Sequence, residues 1–535
     1  MEQSPPVGIS PKFAFGIKGD LRNNIFFLDD QRIVYPCGHN VVILSIGDDK
    51  TQEYIPGIEG SEGITAMSLS HAKKYLAVCE RSERAICSIY NINTHKRRKV
   101  ITTDHITDKE FISVAFSHQN EKGHLVTLTG GQEGMIILWQ WNKAKCIAFQ
   151  KVGISEGQSL YQASFNNLDF NSIVVTGNGV YKYYKLKDNG IRPEHSGLTK
   201  KESHISNHYT CHTWLPEGKI IICTDQGELL LLESSGEYKM LLSCSPGDGF
   251  YIEAITNYSK GFMIAGDTGQ IMVFEKTDEP KKPFVHVATW PNVDPKEEKK
   301  YPNLFLSIMA SRIKCIALSS NDDTLVFSTE NNQLMKVNVN LEKKMGDTNV
   351  KYEYLVCPFH SRAINGLDVC IKKQLVATCS VDKTVRIWSY STTPSLEICE
   401  TFQDEAYSVA FHPSGFHIIV GFTDKIRMMN VFGSKRLSTF KEIPIKSCRE
   451  IQFSHGGHLF ACVNQHYIQI YNFYTGENPS NMIFNEHDGK VRCISWFEDD
   501  SGFVSAGWDG KIYVWNIKNN QKPEYSFESK GTNFS

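Results

Sequence analysis

Two stretches decide the fold: ATCSVDKTVRIWS (Ala377–Ser389) and VSAGWDGKIYVWN (Val504–Asn516). In each, an aspartate sits in a tight turn and a tryptophan follows six residues later: Asp382 and Trp388, then Asp509 and Trp515. Upstream, His360 precedes Thr378 by 18 residues and Thr378 precedes Asp382 by 4. His487, Ser505 and Asp509 repeat those spacings. A hydroxyl, an imidazole and a carboxylate are also the three groups of a hydrolytic triad. The tryptophan argues against that reading. An indole N–H is a donor only and seeks an acceptor when buried. The Ser/Thr oxygen can accept it, pass its own proton to the imidazole, and leave the imidazole N–H for the carboxylate. A hydroxyl engaged in this way is no nucleophile, and a fully satisfied network stiffens the strands it joins.

Working outward, the unit that contains these residues recurs. A strand, a small-residue turn, a second strand, a turn and a third strand return along the chain. The first strand of each copy ends on one large apolar residue: Leu69, Phe116, Phe165, Trp214, Ile255, Leu318, Val369, Phe411, Phe453 and Trp496. The steps are 47, 49, 49, 41, 63, 51, 42, 42 and 43 residues, and an earlier copy at NNIFFLDDQRIVYPCGHNVVILSI makes eleven. Inner hairpins such as IIICTDQGELLLLES (220–234) and FMIAGDTGQIMVFEK (262–276) are apolar runs around an Asp/Gly turn. Glycine supplies the positive φ that a tight hairpin needs. Four short strands per 40–45 residues is the signature of a propeller blade.

The His–Ser/Thr–Asp–Trp pattern resembles the WD-repeat family. The match is full in two copies and decays elsewhere. Glu133 and Trp139 stand in the third copy, and Phe274 replaces the tryptophan in the sixth. The expected fold is all-β, with tandem WD-repeat β-propellers. The first is seven-bladed over 15–350 and the second is incomplete, with about four blades over 355–528. They lie between tails at 1–14 and 529–535. Four blades alone leave open edges and an uncovered apolar face, so a longer natural product, or a truncated form of one, is expected. The 63-residue step marks an insertion at 275–303, rich in Lys, Glu and Pro, read as a solvated surface loop.

Bulk properties exclude other classes. The net charge of −2 over 535 residues gives no field for nucleic acid. No apolar run reaches membrane-spanning length, and MEQSPPVGISPK lacks the features of a secretory signal. Fifteen scattered cysteines, with no C-x-x-C, read as reduced thiols, several in strands (Cys79, Cys223, Cys379, Cys462). GISEG (Gly153–Gly157) fits G-x-S-x-G, but a strand and not a helix follows it. HISNHYTCH (204–212) gathers His204, His208, Cys211 and His212, yet alternation puts Cys211 and His212 on opposite faces. No metal, cofactor or catalytic residue is expected. HKRRK (95–99) is the one dense basic patch. Lys96, Arg97, Arg98 and Lys99 read as a charged edge that discourages strand addition, or as a contact for acidic partners such as tubulin tails.

The stretches FGIKGDLRNNIFFLDDQRIVYPCGHNVVILSI, VTGNGVYKYYKL and CHTWLPEGKIIICTDQGELLLLES are similar to a cilia- and flagella-associated family within the WD-repeat proteins. That resemblance implies a non-enzymatic axonemal scaffold in the cytoskeleton of motile cilia. It implies partners among other axonemal proteins, inner dynein arm components and tubulin, with no nucleic acid and no membrane insertion. The alternative is an adaptor or substrate receptor in a cytosolic or nuclear complex such as a ubiquitin ligase.

Overall fold

The computed structural model describes residues 11–47, 50–102, 107–118, 123–187, 190–198, 205–247, 249–290, 311–339, 352–391, 394–431, 436–479, 482–518 and 522–528. The expected tail at 529–535, most of that at 1–14, His204 and residues 291–303 of the expected insertion lie outside them.

Among the described residues there are eleven four-stranded antiparallel sheets, each a meander of consecutive strands. In chain order they span 26–55, 63–101, 111–151, 159–196, 209–241, 252–290, 313–354, 364–401, 408–443, 450–484 and 491–528, here sheets 1 to 11. The one helical element among the described residues is a single 3-10 turn, Trp141–Lys143. The chain divides into two compact units, Met1–Phe359 and His360–Ser535.

The second strands, and many of the third, are largely apolar and buried where both faces of a sheet are covered. In sheet 5, Ile220–Thr224 and Leu229–Leu232 are buried at every position. The fourth strands are half wet: Lys145–Lys151 alternates exposed with partly buried residues. Neighbouring sheets stack face to face and share apolar cores. Trp139 and Leu125 of sheet 3 meet Ile89 and Ile101 of sheet 2, and Phe453 and Phe460 of sheet 10 meet Ile419 and Met428 of sheet 9. In the first unit every sheet contributes to two such cores; sheets 1 and 7 share one through Tyr35, Val42, Val326 and Leu334. In the second unit the shared cores are those of sheets 8 and 9, 9 and 10, and 10 and 11.

This topology corrects the expected tandem WD-repeat β-propellers, seven-bladed and then partial. Among the described residues the sheets are separate, none pairs its strands with another, none curls into a closed barrel or propeller, and the contacts run mainly from one sheet to the next. The repeat period specifies the four-stranded unit and its two sticky faces. It does not encode how a row of such units is arranged, which is a tertiary property. A smaller correction concerns the insertion. Phe284–Trp290 is the outer strand of sheet 6, not loop. The surrounding lysines and prolines hid its apolar alternation.

The inner turns show why small residues recur there. Gly227 sits at φ +76°, and a Cβ on it would come within 2.8 Å of the Gly247 carbonyl oxygen. In sheet 8 the equivalent place is taken by Lys383 at φ +65°, a left-handed conformation that a side chain disfavours.

Candidate functional site

The residues at 360–388 and 487–515 assemble into two buried relays. In sheet 8, the Trp388 indole N–H donates to Thr378 Oγ1 at 2.8 Å. His360 Nε2 lies 2.7 Å from the same oxygen and its Nδ1 lies 3.0 Å from Asp382 Oδ2. In sheet 11 the distances are 2.7 Å for Trp515 to Ser505 Oγ, 2.8 Å for His487 Nε2 to Ser505 Oγ, and 2.9 Å for His487 Nδ1 to Asp509 Oδ2. The direction of each bond follows from the donors available. The indole can only donate and the ionised carboxylate can only accept, so imidazole Nδ1–H points to the aspartate and Nε2 accepts the hydroxyl proton. The relay joins the third strand, the second strand, the segment entering the sheet and the inner turn.

The electrostatics agree with that proton placement. Burial pushes both histidines toward the neutral form, against the pull of the aspartate beside each. Burial also works to raise Asp382, but hydrogen bonds from His360, Thr384 and the Ser361 amide outweigh it and hold the carboxyl below the usual range. The same balance, led by His487 and the Lys511 amide, lowers Asp509. The His360 and Asp382 side chains are each 4% exposed, which leaves no approach for a substrate. Sheet 8 adds a cation. Arg386 Nη2 stands 3.6 Å from Asp382 Oδ2.

The decayed copies solve the same problem with fewer groups. Trp139 donates to Thr127 at 2.8 Å, while Glu133 is on the surface, paired with Lys151. Phe274 stacks on Phe262 at 4.9 Å, with Phe284 edge-on at 5.1 Å, so apolar contact replaces the relay there.

One relay was not legible in the sequence. Trp214 donates to Ser164 Oγ at 2.8 Å, His212 Nε2 lies 2.6 Å from that oxygen, and His212 Nδ1 lies 2.7 Å from Thr176 Oγ1. It spans sheets 4 and 5 and contains no carboxylate. Burial alone pulls His212 down to about 3. In the sequence His212 stands out only as a member of the 204–212 cluster. Cys211 instead packs into the core between sheets 5 and 6, and His208 bonds Tyr161 at 3.0 Å. Among the described residues no group of three or more His, Cys, Asp or Glu could hold a metal ion, and no helix is long and apolar enough to cross a membrane. Ser155 of GISEG lies in an exposed turn followed by the strand Ser159–Phe165.

The basic patch lies at the rim of sheet 2. Arg97, Arg98 and Lys99 belong to its outer strand, Arg97–Ile101, and with Lys96 they are all exposed. His95 reaches Glu53 at 3.3 Å.

A model of the WD domain, G-beta repeat, matches residues 353–389 and 479–516, the two windows that hold the carboxylate-containing relays. Over most of its length the chain is similar to particular proteins. Cilia- and flagella-associated protein 57 A of Tetrahymena thermophila is 36% identical over 97% of this chain. Cilia- and flagella-associated protein 57 of Mus musculus is 32% identical over 95%. Echinoderm microtubule-associated protein-like 4 of Xenopus laevis is 22% identical over 96%. The chain spans 43% of the length of each of the first two and 54% of the third.

Proposed function

We propose that this chain is a non-enzymatic interaction scaffold of the ciliary axoneme. The observation that carries the reading is similarity along nearly the whole chain to two proteins named for cilia and flagella, at 36% and 32% identity. The buried relays support a structural use of His, Ser/Thr and Asp, since their hydroxyls are engaged and enclosed. Rigid sheets hold the outer strands and turns in fixed positions, where partners can bind. The finer reading is that the scaffold helps place or regulate inner dynein arms on doublet microtubules, with the exposed cations of Lys96–Lys99 meeting an acidic surface such as a tubulin tail.

The test has two arms. A tagged chain expressed in multiciliated cells is expected along the axoneme, and diffuse cytoplasmic signal with none in cilia would contradict the reading. In microtubule co-sedimentation, replacing Lys96, Arg97, Arg98 and Lys99 with alanine is expected to weaken binding and its salt dependence. Unchanged binding would remove the basic strand from the proposal while leaving the ciliary arm to stand by itself.

A further inference from the structure

The first unit contains a cavity of about 380 Å³ among the first strands of sheets 1, 2, 3, 4, 6 and 7. Two charged residues line it, Arg22 and Lys73, and both are cations. The rest of the wall is apolar or neutral.

Arg22 stands at one end. With Ile112 and Tyr161 it belongs to the wall that this cavity shares with a second one of about 360 Å³. Its guanidinium stacks on the Tyr161 ring at 4.0 Å, donates to the Thr210 carbonyl and lies against the Tyr251 hydroxyl. The second cavity holds the carboxylates of Asp20, Glu62 and Glu110, and Glu110 is taken by Arg81. Among the described residues Arg22 has no carboxylate partner. A half-buried guanidinium without a counter-ion is costly, and its fork of N–H donors matches an oxyanion. Lys73 donates to Ser320 Oγ at 2.7 Å, which uses one of its three protons.

We propose that this cavity binds a small sugar or polyol phosphate, with the phosphate on the Arg22 fork and the body of the molecule between Arg22 and Lys73. The charge favours a phosphate. A phosphomonoester carries about −1.5 to −2 at neutral pH, which suits two cations and no acid better than the single charge of a carboxylate does. The volume favours an organic ester, since about 380 Å³ is at the small end of ligand cavities and far exceeds what inorganic phosphate fills. Ser68 and Thr256, on the same wall, have no side-chain partner among the described residues, and their hydroxyls fit those of a sugar. The site is independent of the axonemal role.

Isothermal titration of the 535-residue chain with glucose 6-phosphate, glucose and inorganic phosphate, each to roughly 10 mM, tests it. Glucose 6-phosphate is expected to bind more tightly than either of the others. Arg22→Gln should weaken the ester by about tenfold or more, since charge-assisted hydrogen bonds are lost. Arg22→Lys keeps the charge and loses the fork, so it should fall between. Thr256→Leu fills the cavity and leaves Arg22 in place, so it should weaken the ester and spare inorganic phosphate; it also serves if circular dichroism shows that Arg22→Gln disturbs the fold. Alanine at Lys96, Arg97, Arg98 and Lys99 should change nothing. No binding of glucose 6-phosphate overturns the proposal. So does a sugar that adds nothing to the affinity of inorganic phosphate, or binding that survives both Arg22→Gln and Thr256→Leu. Loss in the basic-strand variant would mean that the phosphate sits on the surface, and this too overturns it.

Discussion

Acidification should loosen sheets 4 and 5 through His212. Both ring nitrogens are hydrogen-bonded and the side chain is buried, so the folded state holds it neutral, with its pKa drawn down to about 3 from an ordinary 6.5. The unfolded chain protonates near 6.5 and the folded chain does not. The stability contributed by neutral His212 is therefore complete above pH 6.5 and drains away as pH falls toward 3. At pH 5 the unfolded state is favoured by a factor of about 30, or about 2 kcal/mol. Because the folded value lies well below 5, the loss at pH 5 is set by the unfolded value alone. The assay is pulse hydrogen exchange along a urea gradient, read by mass spectrometry on peptides covering Tyr209–Trp214. His212→Gln is expected to be weaker than the parent at pH 7.5, since a buried network is rebuilt imperfectly. It should, however, lose about 2 kcal/mol less than the parent between pH 7.5 and pH 5. Parallel pH dependences in parent and variant would mean that His212 does not set the acid sensitivity of sheets 4 and 5.

Two further outcomes follow from single residues. Lys383→Gly should raise the stability of sheet 8 by roughly 0.5–1 kcal/mol, measured as a higher urea midpoint for its exchange, because glycine accepts φ +65° without a Cβ penalty. Glu450, in the first strand of sheet 10, is pushed up to about 7 by burial, with Asp368 adding to the shift and Arg492 opposing it. Its folded pKa exceeds the unfolded one, so stability falls as pH rises through 7. Glu450→Gln is expected to stabilise the second unit at pH 8 by roughly 1–3 kcal/mol and to change little at pH 5. Equal effects at the two pH values would count against it.

What could be read from the sequence was what lies within one repeat. His360, Thr378, Asp382 and Trp388 share a single sheet and its entry segment, so their spacing is fixed by strand and turn lengths and recurs unchanged at 487–515. His212 was hidden for the opposite reason. Its partners Ser164 and Thr176 belong to the preceding sheet, 48 and 36 residues away, across a loop whose length varies. Face-to-face stacking is likewise a contact between repeats, and the spacing of strands is silent about how a row of sheets is arranged. At Phe284–Trp290 a sound alternation was masked by the charged residues around it.

If each carboxylate-containing relay holds its own sheet together, loss of its hydroxyl must loosen that sheet and leave the first unit alone. Hydrogen exchange across the full chain, comparing the parent with Ser505→Ala and Thr378→Ala, measures this loosening. Removing the hydroxyl strands a buried indole N–H and an imidazole nitrogen, at a cost of about 2–4 kcal/mol. Exchange is expected to be faster by roughly 30- to 1000-fold, in sheet 11 for Ser505→Ala and in sheet 8 for Thr378→Ala, with the sheets of the first unit unchanged. Exchange indistinguishable from the parent in both variants would contradict it.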